Sequence, residues 1–172
     1  HDGIYASHMR NDGTGILDGL TQLFRAAREA KIRAEISHPK LGGKSTWGKA
    51  DTVLAAIEKA RDEGLEITQD QYVYTASSTT LSTLIPKSAR EGGAAEFRKR
   101  VDDPQQKAAI VAEMKRDLER SGRSSYEYAV IASYSRDTAL NGKNIVEAAK
   151  LKRGSDSLDD QIELVLEIHR SG

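Results

Sequence analysis

The sequence contains no cysteine. Disulfides are therefore excluded, and with them the cross-linked scaffold of small secreted domains; the compartment is left open, with the cytoplasm as the default expectation. No apolar run approaches the roughly 20 residues of a helical membrane span. Nor is there a surplus of one charge, since 26 Lys and Arg residues balance 26 Asp and Glu. Balanced charge gives no electrostatic reason to expect nucleic acid or an anionic membrane as partner. No signal-peptide pattern is present. The chain opens on His1 rather than methionine and runs almost at once into a strand-like segment, so it reads as a piece of a longer protein. What remains is an ordinary globular composition: 172 residues, 38% hydrophobic and 30% charged, a length suited to one domain.

Periodicity predicts a regular alternation in the first half. Ile4 to His8 reads as a short strand. "ILDGLTQLFRAAREA" follows Gly15 and places Ile16, Leu20, Leu23, Phe24 and Ala27 on one helical stripe. "KIRAEISH" is a second strand, with Ile32, Ala34 and Ile36 alternating with polar neighbours. After the loop "PKLGGKSTWGKA", the run "DTVLAAIEKARDEG" reads as a helix with Asp51 as N-cap and Gly64 just past its end. "LEITQDQYVYTASST" supplies a third strand and its exit loop. Strand and helix alternate with a repeat of roughly 30 residues, the pattern of βαβ units, so the predicted class is α/β with parallel strands.

The second half breaks this rhythm. From Leu81 to about Gly122 the chain is charged and helical in tendency, with Pro104 suited to the first turn of a helix. "YEYAVIASYS" reads as β-prone, "RDTALNGKN" as a loop and "NIVEAAKLKRG" as a short helix. "SLDDQIELVLEIHRSG" is an amphipathic helix with Ser157 as N-cap and Ile162, Val165, Leu166 and His169 near one face. So long an excursion commonly carries function, for instance as a lid.

Two segments echo each other. "IYASHMRNDGTG" and "AEISHPKLGGKS" each end a β-prone run in Ser-His, followed by a basic residue and a glycine-rich loop. In parallel α/β folds the carboxyl ends of the strands form the rim where ligands bind. Neighbouring strands lie about 4.8 Å apart, so His8 and His38 are placed to reach one metal ion. The alternative is that each is a hydrogen-bonded structural residue, as single strand-end histidines commonly are; both readings stand on spacing alone. Around the same rim come Lys40, then Tyr72 and Tyr74, then Ser77, Ser78 and Thr79, whose donors suit a carboxylate or carbonyl oxygen. Each of these is also compatible with ordinary packing, turn or surface roles. His1 and His169 lack a partner pattern and are read as structural or surface residues, and Trp47 as an anchor of its loop.

The stretches "YASHMRNDG", "ISHPKLGGKSTWGKADTVLAAIEKARDEGLEIT" and "DQYVYTASST", in this order and spacing, resemble the N-acyl-D-amino-acid deacylases (D-aminoacylases) of the amidohydrolase superfamily. The resemblance extends through "GKNIVEAAK" and the final helix. It implies part of a TIM-like (β/α)8 metal-dependent hydrolase barrel, covering its fifth to seventh strands, with a mostly helical insertion. On that basis residues 1–80 are the βαβαβ portion of the barrel, 81–144 the insertion or lid, and 145–172 barrel helices. The resemblance implies zinc as cofactor, with His8 and His38 as two of its ligands beside a cysteine from an earlier strand. It also implies Lys40, Tyr72 and Ser78 as substrate contacts, and Arg10 as a residue positioning the ligand loop. No catalytic residue is implied within this chain, because the general-base aspartate follows the eighth strand. One departure from the family pattern is Val73, where proline stands between the paired tyrosines.

The activity implied is zinc-dependent hydrolysis of the amide bond of N-acyl-D-amino acids, small-molecule substrates, yielding a carboxylate and a D-amino acid. The chain alone is expected to be inactive. Two other readings remain: a cyclic amidase of the dihydroorotase or hydantoinase kind, and a folded fragment without catalysis. Paired tyrosines and the His-Pro-Lys run favour the deacylase.

Overall fold

The computed structural model describes residues 3–171, so His1 lies outside the described residues. The chain divides between Ala76 and Ser77 into two compact units.

The first unit is built on three parallel strands in the order β1-β2-β3: β1 (Ile4–His8), β2 (Arg33–Ser37) and β3 (Ile67–Gln69). Helix α1 (Ile16–Ala30) joins the first two strands and α2 (Ala50–Asp62) the last two. The predicted stripe of α1 is the face it buries: Ile16, Leu20, Leu23 and Ala27 are buried, with Phe24 packed beside them. They meet Ala34 and Ile36 of β2, Ile67 of β3, and Val53, Ile57 and Ala60 of α2 in one apolar cluster. Burial of those side chains, each contributing about 1.5–3 kcal/mol for the larger ones, is what holds the helices to the sheet. The opposite sheet face carries Ile4, Ala6, Arg33, Glu35 and Thr68, none of them buried, and the Thr68 hydroxyl donates to the Glu35 carboxylate.

Two local expectations are corrected here. Helix α2 starts two residues earlier, with Lys49 rather than Asp51 at its N-cap and no side-chain cap; Asp51 lies inside the first turn, where its charge favours the helix dipole. The reason is the turn before it, in which Thr46 accepts from Lys49 N and Gly48 takes φ +77°. The third strand is only three residues long. Its partner β2 ends at Ser37, so pairing stops at Ile36 opposite Gln69, and Tyr72 and Tyr74 stand in the loop beyond.

The second unit is helical: α3 (Lys87–Arg90), α4 (Gly93–Asp102), α5 (Pro104–Arg120), α6 (Ile145–Arg153) and α7 (Leu158–Ser171). Pro104 occupies the first turn of α5, and the Asp103 side chain caps it by accepting from Gln106 N at 2.8 Å. Asn144 and Glu147 form a reciprocal capping box on α6, which ends on Gly154 at φ +72°, a left-handed position that glycine takes without steric cost. Ser157 caps α7, accepting from Asp160 N. Phe97, Met114, Leu140, Ile145, Ile162, Leu164 and Leu166 form the core. The buried Gln161 amide is satisfied at both ends: it accepts from Tyr126 N at 2.9 Å and donates to Asp156 O at 2.8 Å.

"YEYAVIASYS" does not form a strand. Its backbone is used locally: Ile131 N donates to Lys143 O, and Ile145 N to Ala129 O, leaving only an isolated antiparallel bridge of Val130 with Asn144. The run serves as a brace against the entry to α6, with Tyr126 and Ile131 buried beneath it. The expected return of strand–helix alternation is therefore absent among the described residues.

Candidate functional site

His8 is the last residue of β1 and lies opposite Ser37, so the two strands end level and His38 follows immediately. The rings of His8 and His38 are 5.1 Å apart, centroid to centroid, tilted by 50°. Two imidazoles binding one tetrahedral ion through nitrogens about 2 Å from it have centroids about 5 Å apart. The pair therefore fits two positions of a shared coordination shell. Among the described residues no group of three or more His, Cys, Asp or Glu could hold a metal ion, so the pair fits as part of a shell and not as a whole one.

The backbone of His38 is strained. Its φ is +36°, in the left-handed region that non-glycine residues avoid, and it precedes Pro39, where an extended conformation is the norm. The conformation is held from the third strand: Asp70, just past β3, accepts the His38 N–H at 2.6 Å and itself donates its N–H to Ile36 O. A charged acceptor offsets strain of this kind and fixes the backbone from which the imidazole projects.

Lys40 folds onto the same histidine. Its ammonium donates to His38 Nδ1 at 2.8 Å and to His38 O at 3.0 Å, and stands 6.0 Å from the centre of the Tyr72 ring. Asp12 completes the cluster from the loop after β1. Its Oδ2 lies 3.4 Å from Lys40 Nζ and 3.6 Å from His8 Nε2, while Oδ1 is buried with no hydrogen-bond partner among the described residues. The loops after β1 and β2 are laced together by Gly42 N donating to Asp12 O at 2.6 Å. A Cβ at residue 42 would stand 3.4 Å from that oxygen, an ordinary van der Waals contact. Buried Thr46, donating to Gly42 O and Gly43 O, anchors the second loop. Trp47 does not, contrary to expectation: it is 63% exposed, because the adjacent Thr46 takes the inward position.

Of the residues singled out in sequence, His8, His38, Lys40 and Tyr72 come together; Tyr72 and His38 have ring centroids 5.8 Å apart, and Tyr74 continues the row. Arg10 is exposed in the loop after buried Met9. Ser78 is exposed and belongs to the second unit, so its role rests on the resemblance alone. His169 packs edge-on against Phe97, a structural contact as expected. Asp12 and Asp70 were not singled out, although both lie at the same rim as the histidines.

No family model matches the chain. The D-aminoacylase of Alcaligenes xylosoxydans xylosoxydans is 40% identical to it over 81 residues, which are 47% of this chain and 16% of that protein. The N-acyl-D-glutamate deacylase of the same organism is 33% identical over 86 residues, 50% of this chain and 17% of that protein. A solved D-aminoacylase structure described by its binuclear metal center superposes with a TM-score of 0.60 and 25% identity, covering 96% of this chain and 26% of that one. The chain thus spans about a quarter of the length of the structure it matches. The chain is thus similar in sequence to part of a D-aminoacylase and of an N-acyl-D-glutamate deacylase, and similar in fold to part of a D-aminoacylase.

Proposed function

We propose that the protein carrying this chain hydrolyses the amide bond of N-acyl-D-amino acids, releasing a carboxylate and a D-amino acid, with His8 and His38 as two ligands of a zinc ion. One observation carries this reading: the two imidazoles stand 5.1 Å apart at the ends of neighbouring parallel strands, with Lys40 and Tyr72 beside them. Imidazole nitrogen is a donor suited to zinc. When bound, zinc supplies Lewis acidity, polarising an acyl carbonyl and making water a better nucleophile near neutral pH. The remaining ligands and the general base come from residues outside this chain, whose sheet forms part of a (β/α)8 barrel, with residues 81–144 as its insertion.

Within the chain the division of labour follows from the side chains. His8 and His38 hold the ion, and Asp70 holds His38. Lys40 offers a point charge to the substrate carboxylate, and Tyr72 walls one side of it and presents a hydroxyl. Fixing the carboxylate away from the scissile bond sets the register of the acyl group and the hand of the α-carbon.

The test is His38→Ala in the complete protein, read by metal content and by deacylation of an N-acetyl-D-amino acid. Loss of both bound zinc and activity is expected. Retained activity with unchanged zinc would reject the ligand assignment.

A further inference from the structure

Resting on the metal reading above, we propose that Lys40 has two seats, His38 Nδ1 and the Asp12 carboxylate, and that a metal ion on His38 drives it from the first to the second. An ammonium has three N–H donors and no acceptor, so the ring nitrogen it meets at 2.8 Å must be the unprotonated one. That leaves a metal two ways onto the ring. Binding through Nδ1 takes the lone pair that Lys40 uses. Binding through Nε2 puts the proton of the neutral imidazole on Nδ1, where its N–H meets the ammonium, donor against donor. Either way the lysine must let go.

Asp12 is built to receive it. Its Oδ2 is 3.4 Å from Nζ, beyond hydrogen-bond length, and a movement of about 1 Å or less closes the gap. The carboxylate is kept in place from behind, since its own backbone oxygen accepts the Gly42 N–H. Its Oδ1 is buried and unpartnered, so the group bears a desolvation cost that a strong donor on Oδ2 offsets. Metal occupancy therefore decides where the charge of Lys40 stands when a substrate carboxylate arrives. Asp12 is a positioning residue in this scheme, acting through Lys40 and not on the substrate.

The experiment is a double-mutant cycle in the complete protein, with zinc affinity measured by competition against a chelator, using zinc chloride alone. Lys40→Met removes the competitor for His38 and is expected to tighten zinc about tenfold, the size of one charge-assisted hydrogen bond. Asp12→Asn removes the second seat and is expected to weaken zinc by a comparable factor. In the Lys40→Met background, Asp12→Asn should change little, because no lysine remains to be seated. Unchanged or weaker zinc binding by Lys40→Met overturns the proposal. So does an equal effect of Asp12→Asn in both backgrounds, which would mean that Asp12 acts through His8, 3.6 Å away. A second reading needs no variant: acetic anhydride should modify Lys40 at a different rate, relative to Lys44 in the same loop, with and without zinc. An unchanged ratio counts against the two seats. Failure of the wild-type protein to bind zinc at all is a different result, and removes the metal reading itself.

Discussion

Replacing Asp70 by alanine separates stability from site geometry in a way that can be measured. The Asp70 carboxylate accepts the His38 N–H at 2.6 Å and so holds a residue at φ +36° before a proline. A hydrogen bond to a charged acceptor contributes about 1.5–3 kcal/mol, and the exposure of Asp70 puts this one at the lower end, about 1.5 kcal/mol. The left-handed conformation costs about 1–2 kcal/mol for a residue with a Cβ. In Asp70→Ala the backbone at His38 is free to relax to the extended conformation it prefers, and recovers most of that cost. The net loss of stability, read from urea unfolding, should therefore be below about 1 kcal/mol. The loss at the site should be larger: removing a bias of about 1.5 kcal/mol leaves roughly a tenth as many molecules with His38 facing His8, and zinc affinity falls about tenfold. Asp70→Asn keeps a carbonyl acceptor and should retain most of the affinity. The reasoning is refuted if Asp70→Ala binds zinc like the wild type, or if the alanine and asparagine variants are equally impaired.

Two further expectations concern the helical unit. Burial, and secondarily the charge of Arg90, hold the pKa of His169 below its ordinary value where it packs on Phe97 at 4.6 Å. Above about pH 6.5 the ring is neutral in both folded and unfolded chains; below it the unfolded chain takes up a proton that the folded one resists, so stability falls as the pH is lowered. Urea midpoints between pH 7 and 5 should show this slope, and His169→Gln should flatten it; an unchanged slope would place its origin elsewhere. Asn144→Ala removes the side-chain arm of the α6 capping box, the bond from Glu147 N, while the backbone N–H of residue 144 can still donate to Glu147; it should cost about 1 kcal/mol of unfolding free energy, against little change for an exposed alanine substitution such as Leu151→Ala.

Much of this protein is legible one segment at a time. The bounds of α1, its buried stripe, the Pro104 start of α5, the Ser157 cap, the end of β1 at His8 and the end of β2 just before His38 all follow from periodicity and capping, which are local properties of the chain. That two histidines share a rim is likewise legible, because parallel strands of similar length end level. Where local preference had to compete with a neighbour, it misled. "YEYAVIASYS" has strand propensity but finds no strand to pair with, and its backbone bonds to the loop before α6 instead. Trp47 was the obvious anchor of its loop, yet the short hydroxyl of Thr46 satisfies two carbonyls and takes the buried place.

The polar half of the site was decided only by the tertiary structure. Asp12 and Asp70 look like ordinary loop acids in sequence, separated from His38 by 26 and 32 positions. They become partners because β1, β2 and β3 lie side by side and deliver their exit loops to one edge. Nor could periodicity announce a histidine with positive φ before a proline, since that conformation opposes local preference and persists only under a carboxylate from the next strand. Residue types and strand ends are written along the chain; which charges face one another depends on packing that brings distant loops within a few ångströms.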